Sequence, residues 1–125
     1  MSQEPLIAVI DDDESFRLAL VESLGSLGYH VRDFSSAEAF LASGDLDPIG
    51  CVITDIHMPG MSGIDLARRL MARRPRIPMI MVTARSQPGL DDIAAANGAV
   101  CVLHKPFESQ ALTGCLERVL KSPPP

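Results

Sequence analysis

Cys51-Val52-Ile53-Thr54-Asp55-Ile56-His57-Met58-Pro59-Gly60-Met61-Ser62-Gly63 carries more structural instruction than any other stretch of this 125-residue chain. Its first three residues form a short apolar run that reads as a buried strand. Asp55 stands where that strand ends, and the Pro59-Gly60 pair and Gly63 take the chain through a loop into a helix beginning near Ile64. Open parallel sheets bind their ligands beyond the carboxyl ends of the strands, so a carboxylate at that edge is placed for chemistry. A lone Asp there is more often a solvated loop acid or a cap. Three other strand ends set this one apart.

Leu6–Ile10 is a second apolar run, ending in Asp11-Asp12-Asp13-Glu14; Met79–Val82 is a third, ending in Thr83-Ala84. Ala99–Leu103 is a fourth, ending in His104-Lys105-Pro106-Phe107. Helical patterns lie between them. Phe16, Ala19, Leu20, Leu24 and Leu27 recur at helical spacing and are closed by Gly28. Tyr29–Phe34 predicts a further strand, and Ser35-Ser36-Ala37-Glu38 reads as a capping box opening a helix through Phe40 and Leu41. Gly44–Gly50, with Pro48, reads as the loop into the central strand. Ile64–Arg74 places Ile64, Ala67, Leu70 and Met71 on one face, with Pro75 and Pro78 bracketing the exit. Leu90–Asn97 is a short helix weakened by Pro88 and Gly89 and stopped by Gly98. Glu108–Lys121 is the last, with Leu112, Leu116, Val119 and Leu120 inward. Five strands alternating with five helices predict an α/β fold around a parallel sheet. One domain over residues 1–121 follows, behind a disordered lead-in, Met1–Pro5. Ser122-Pro123-Pro124-Pro125 is a stiff tail or a cut linker.

Hydrophobic residues make up 46% of the chain and charged residues 22%, ordinary for a globular domain. The net charge of −5 argues against direct contact with nucleic acid, which needs a basic face. Much of that acidity sits in Asp11–Glu14, where it suits a cation. No stretch has the length of a membrane span, and no signal pattern opens the chain. Cys51, Cys101 and Cys115 are odd in number, and two lie in strand runs, so buried free thiols in a reducing, cytoplasmic compartment are expected. If the first and third strands are neighbours, Asp11, Asp12 and Asp55 converge. Three such carboxylates cannot all stay ionised without a cation, and an oxygen-rich site that keeps waters suits Mg²⁺.

This ordered set of strand ends resembles the receiver domain of two-component response regulators, from about Leu6 to Lys121. Ser36–Leu41, Asp55–Gly63 and His104–Phe107 look closest to receivers of the nitrogen-fixation-regulator type. Those usually precede a helix-turn-helix DNA-binding domain, which is not in this sequence. The resemblance implies a flavodoxin-like (βα)5 fold with strand order 2-1-3-4-5. It implies that Asp55 takes a phosphoryl group from a phosphohistidine on a kinase or phosphotransfer protein. Asp12 and Asp55 would hold Mg²⁺ directly, Asp11 largely through water, and the backbone carbonyl of His57 would be a further ligand. Lys105, turned by a cis bond to Pro106, and the hydroxyl of Thr83 would contact the phosphoryl group. Asp13 matches the variable next position and reads as a helix N-terminal charge. His57 and Arg85 occupy positions that in receivers influence the attack of water on the acyl phosphate; His57 is equally readable as a plain loop residue. An output domain, or a homodimer through helix four, strand five and helix five, is the family expectation. Such a domain is regulatory rather than an ordinary enzyme, with weak phosphotransfer and self-dephosphorylation.

Two features depart from that pattern. The strand-five residue three before the Lys is usually Tyr or Phe, and here it is Val102, which cannot report Thr83 by ring rotation. Pro88 and Gly89 also loosen the start of helix four. Val102 therefore keeps alive a receiver-fold interaction module with little phosphorylation-dependent switching. A haloacid-dehalogenase-type phosphatase would use Asp11-Asp12-Asp13, a Thr, a Lys and an acidic pair such as Asp91-Asp92. It would leave Asp55–Gly63 without a task, and it needs the Lys before the acidic pair. Arg68-Arg69, Arg73-Arg74 and Arg76 read first as the solvated face of an amphipathic helix.

Overall fold

Strand residues that are apolar without alternation belong to a sheet covered on both faces. In the computed structural model, which describes residues 6–43, 49–72 and 77–121, the sheet is built that way. Its strands are β1 (Leu6–Ile10), β2 (His30–Phe34), β3 (Ile49–Asp55), β4 (Met79–Thr83) and β5 (Ala99–His104). They lie in the order β2-β1-β3-β4-β5, and every neighbouring pair is parallel. Helices α1 (Glu14–Ser26) and α5 (Ser109–Lys121) pack on one face, around Val9, Ile53, Val82 and Leu103. Helices α2 (Ala37–Ala42), α3 (Gly63–Met71) and α4 (Leu90–Ala96) pack on the other, around Ala8, Ile10, Val52 and Met81.

The two-residue period of the strands then sorts the polar residues at their ends. Asp11, Asp55 and Lys105 each stand two beyond a residue of the α1/α5 face: Val9, Ile53 and Leu103. Thr83 stands two beyond Met81, on the α2/α3/α4 face, and Val102 pairs with Met81 in register. Register also levels the strand ends. Val9 pairs with Ile53 and Ile10 with Thr54, so Asp11 and Asp55 leave the sheet together. Asp55 pairs with Val82, and Thr83 with His104.

Several elements differ from the sequence expectation, each for a local reason. Strand β3 starts at Ile49 and so includes Gly50, because β1 pairs with it from Leu6 and absorbs a register shift between Leu6 and Ile7. Leu27 is 51% exposed, because α1 ends at Ser26 and Leu27 is its C-cap rather than part of its buried face. Helix α3 starts at Gly63, one residue before the expected Ile64, with Ser62 as its cap, and the buried face becomes Gly63, Leu66, Ala67 and Leu70. Met71 is left 38% exposed. The N-cap of α2 is Ser36, whose hydroxyl oxygen accepts from Ala39 N–H, so Glu38 is too early in the helix to close a box with it. Helix α5 begins at Ser109, with the Glu108 carbonyl accepting from Ala111. The expected lead-in Met1–Pro5, the loop over Gly44–Pro48, Arg73, Arg74, Pro75, Arg76 and the tail 122–125 lie outside the described residues.

Candidate functional site

At the carboxyl edge of the sheet, three chain-distant residues meet. The Lys105 ammonium lies 3.0 Å from Asp11 Oδ2 and 3.3 Å from Asp55 Oδ2. Both carboxylates are buried, Asp11 to 1% exposure and Asp55 to 8%. The same ammonium sits 3.9 Å from the centre of the Phe16 ring, and Phe107 packs edge-on against that ring. Lys105 is therefore held by two charges and an aromatic face, a geometry in which a cation is favoured over each neighbour alone. The Lys105–Pro106 bond is cis, as the resemblance implies. The Lys105 N–H donates to the Thr83 carbonyl at 2.7 Å, fixing the end of β5 to the end of β4.

Electrostatics favour an added cation here. Burial, and then the adjacent Asp11 charge, push the Asp55 carboxyl above the ordinary carboxylate range, against the opposing pull of Lys105 and the His57 N–H. Burial draws the Lys105 ammonium down, but its hydrogen bond to Asp11 and the charges of Asp55 and Asp11 outweigh that and raise it. One ammonium thus leaves the acids under-compensated. Oxygens of Asp11, Asp12 and Asp55 all lie within 4.8 Å of one another, with Asp12 exposed. Such a hard, all-oxygen donor set, open on one side, fits a small divalent cation that keeps some of its waters. Asp13 does not join it. Its carboxylate accepts from Phe16 N–H at 3.2 Å and caps α1, while its own N–H donates to Asp11 Oδ1 at 2.9 Å.

The turn after Asp55 is locked from several directions. The His57 N–H donates to Asp55 Oδ1 at 3.2 Å. Gly63 N–H donates to the Ile56 carbonyl at 2.9 Å, and a Cβ on Gly63 would overlap the main-chain carbonyl of Asp55. Ser62 and Asp65 form a reciprocal capping box at the start of α3. Glu38, free of α2's cap, instead accepts from Met61 N–H at 2.9 Å, and that bond holds its carboxyl below the ordinary range. Gly60, at φ +76°, makes the turn beside it.

The remaining sequence candidates fall around this corner. Thr83 is fully buried, its hydroxyl oxygen accepting from Arg85 N–H at 3.0 Å, which leaves the hydroxyl proton free to donate. His57 is half-buried, and its Nδ1 is buried without a partner among the described residues. His57 and the exposed Arg85 line one cleft of about 680 Å³, together with Asp12, Met58 and Gln87. Val102 is half-buried against the α2/α3/α4 side of the core, away from Asp55. Asp91 and Asp92 lie in the first turn of α4, and Asp91 pairs with His104 at 3.0 Å, so no second acidic pair joins the corner. Arg68 and Arg69 are exposed, Arg68 reaching the Asn97 side chain at 3.0 Å.

Residues that sequence reading passed over also serve the corner. Arg17 donates to the Asp11 carbonyl at 2.8 Å while pairing with Asp33 at 2.8 Å, bracing the end of β1 from α1. Phe16, part of the helical pattern of α1, also supplies the ring beneath the Lys105 ammonium. Arg17 and Asp33 stand sixteen residues apart and no local pattern links them; the packing of α1 beside β2 makes them neighbours.

Residues 7–117 match the family model described as "Response regulator receiver domain". The chain is 37% identical over 125 residues to the transcriptional regulatory protein FixJ of Bradyrhizobium diazoefficiens, an alignment covering 100% of this chain and 61% of that protein. It is 38% identical over 118 residues to the C4-dicarboxylate transport transcriptional regulatory protein DctD of Rhizobium meliloti, covering 94% of this chain and 26% of the relative. The chain thus spans less than two thirds of the length of either. Among solved structures, the FixJ-N crystal structure superposes with a TM-score of 0.87 at 33% identity, over 99% of each chain. No described helix is long and apolar enough to cross a membrane.

Proposed function

We propose, since this chain belongs to the response regulator receiver domain family of two-component signalling, that Asp55 is its phosphoacceptor and that the Asp11–Asp55–Lys105 corner is its reaction site. The observation that carries this reading is the single ammonium shared by two buried carboxylates at the end of β1 and β3. It leaves one Asp55 oxygen bonded to His57 N–H and the other facing Lys105. Asp55 Oδ2 attacks the phosphorus of a phosphohistidine on a histidine kinase or phosphotransfer protein; an O–P bond forms, the N–P bond breaks, and the imidazole leaves. Lys105 is placed to follow the transferred oxygens and balance their charge. Asp11, Asp12, Asp55 and the His57 carbonyl would hold Mg²⁺, which when bound neutralises charge on those oxygens.

Thr83 supplies the readout. Its hydroxyl proton has no fixed acceptor in the bonding described above, so a phosphoryl oxygen on Asp55 offers it one. Movement of Thr83 would displace Arg85, whose N–H rests on the Thr83 hydroxyl oxygen. The route then runs into the α4 start and the α4–β5–α5 face, with Val102 following by packing rather than by ring rotation. An output domain or a second copy docking on that face is the consumer of the signal. Hydrolysis is slow and belongs to the domain itself, with His57 and Arg85 bordering the approach of water.

Intact-mass measurement after incubation with Mg²⁺ and a small phosphodonor tests the proposal. One phosphoryl adduct that requires Mg²⁺ and disappears in Asp55→Asn is the expected result. An adduct that survives in that variant, or none in the wild type, would move the reading to Asp11 chemistry or to an unphosphorylated interaction module.

A further inference from the structure

A lysine ammonium carries three N–H groups, and at Lys105 the Asp11 and Asp55 carboxylates engage two of them, at 3.0 and 3.3 Å. The remaining side of the ammonium meets carbon. Its nitrogen lies 3.9 Å from the centre of the Phe16 ring, and the Lys105 side chain is only 15% exposed. A cation so close to a ring, and so largely cut off from water, is held by the negative face of the π system.

The ring is itself fixed. Phe16 stands in the first turn of α1, where its N–H donates to the Asp13 carboxylate at 3.2 Å. The Asp13 N–H in turn donates to Asp11 Oδ1 at 2.9 Å, and the other Asp11 oxygen takes Lys105. Contacts therefore run in a closed circuit from Lys105 through Asp11, Asp13 and Phe16 back to Lys105. Phe107, just beyond the cis Lys105–Pro106 bond, meets Phe16 edge-on, with ring centres 5.9 Å apart and planes at 79°. Both rings pack against the core under α1 and α5.

Phosphoryl transfer requires Lys105 to change partners. With Asp55 Oδ2 as the attacking atom, that oxygen joins the phosphorus and its charge passes outward to the phosphoryl oxygens. The ammonium must then release Oδ2 and take a phosphoryl oxygen without swinging into solvent. A carbonyl acceptor on its third side would hold one N–H in one direction and resist that movement. A ring face attracts the cation without a lone pair to keep aligned.

We propose that Phe16 is a positioning residue for phosphoryl transfer, its ring serving as the ledge on which the Lys105 ammonium moves from Asp55 to the phosphoryl group. The role rests on Asp55 as the phosphoacceptor, and Phe16 acts only through Lys105.

The test uses the full chain, Mg²⁺ and phosphoramidate, whose N–P bond stands in for that of phosphohistidine. The O–P bond to Asp55 forms as the N–P bond breaks and the protonated nitrogen leaves as ammonia. Intact mass against time gives the rate. Phe16→Leu keeps an apolar side chain without a π face and should slow the adduct about tenfold, while Phe16→Tyr should restore it to within about twofold. Lost packing gives the same pattern, so the ring is also fluorinated. Mono-, di- and trifluorinated phenylalanine at position 16 keep the ring and progressively drain its face, and the logarithm of the rate should fall with each fluorine. The Lys105 Cε protons supply a signature that needs no reaction. Ring current should move them upfield in the wild type and Phe16→Tyr, and Phe16→Leu should return them to the ordinary position. A Phe16→Leu rate equal to the wild-type rate, or a fluorinated series as fast as the wild type, overturns the role of Phe16 and leaves Asp55 as acceptor. An adduct that survives in Asp55→Asn overturns both.

Discussion

Two strand-to-helix connections leave the same edge of the sheet, and they are built to opposite specifications. The one after Asp55, residues 56–62, is tied by the His57 N–H, by the Gly63 backbone against the Asp55 carbonyl, by the Ser62–Asp65 box and by Glu38 from a neighbouring helix. The one after Thr83, residues 84–89, is exposed throughout and ends at Gly89, at φ +79°, which offers no side chain to the first N–H groups of α4. Among the described residues, the Arg85 N–H donates to Thr83, the Leu90 N–H to the Gln87 carbonyl, and the Gly89 carbonyl accepts the first bond of α4 from Ile93. A nucleophile needs its carboxylate held in one pose before the donor arrives. A switch needs a segment whose second conformation costs little. The fold supplies rigidity at β3 and slack at β4.

Two glycine substitutions give the sharpest separation. Gly63→Ala drives a methyl into main-chain atoms of Asp55 and should destabilise by about 3 kcal/mol, as forced overpacking does. Gly89→Ala meets nothing within 4 Å and should cost only about 1 kcal/mol, the penalty of a left-handed backbone for an ordinary residue. Urea unfolding of both measures the gap. Equal losses would mean that the turn after Asp55 relaxes as readily as the loop after Thr83, and the contrast would fail.

A smaller effect is expected at Asp55, the proposed phosphoacceptor. The folded state raises the Asp55 carboxyl, so it binds this proton more tightly than the unfolded chain does. Stability from this group is therefore lost as pH rises from the ordinary carboxylate range through the raised value. Asp55→Asn should accordingly raise Tm at neutral pH, and the gain should vanish in acid, where both forms are neutral. Added Mg²⁺ should raise the wild-type Tm and leave the variant nearly unmoved. A variant less stable than the wild type at pH 7 would mean that Lys105 compensates the buried charge in full.

Much of this contrast is legible in the amino-acid sequence. Strand ends can be read because a sheet covered on both faces demands unbroken apolar runs, and Met79–Val82 is buried at every position. The loose start of α4 was legible in Pro88 and Gly89. The tight turn after Asp55 was only half legible. Gly60 and Gly63 announce a turn, but not that Gly63 must admit the Asp55 carbonyl or that Glu38 crosses from α2. Ser35-x-x-Glu38 fits the capping pattern as well as Ser62-x-x-Asp65 does; which Ser caps depends on where the neighbouring strand delivers the chain. Arg17's brace on Asp11 was illegible for the same reason, because it needs α1 packed beside the ends of both β1 and β2.

The smallest expected effect tests whether anything restrains the slack side. His104, one residue before Lys105, meets the Asp91 carboxylate in the first turn of α4 at 3.0 and 3.2 Å. It is the described side-chain tie between the end of β5 and the uncapped start of that helix. The two side chains are 47% and 60% exposed, so solvent screens the pair and His104→Ala should change global stability by less than about 1 kcal/mol. Local stability is the more sensitive readout. A helix of seven residues without a cap sits near the low end of the opening free energies, where a fraction of a kilocalorie alters exchange visibly. Amide exchange over Leu90–Ala96 should quicken in His104→Ala, while Gly63–Met71, held by its own box, should not respond. In acid, where the imidazole carries its proton, high salt should shrink the difference between variant and wild type, because an exposed charge pair loses its attraction over a shortened Debye length. If α3 quickens with α4, the two connections open as one unit, and the division of labour between a fixed nucleophile and a free switch does not hold.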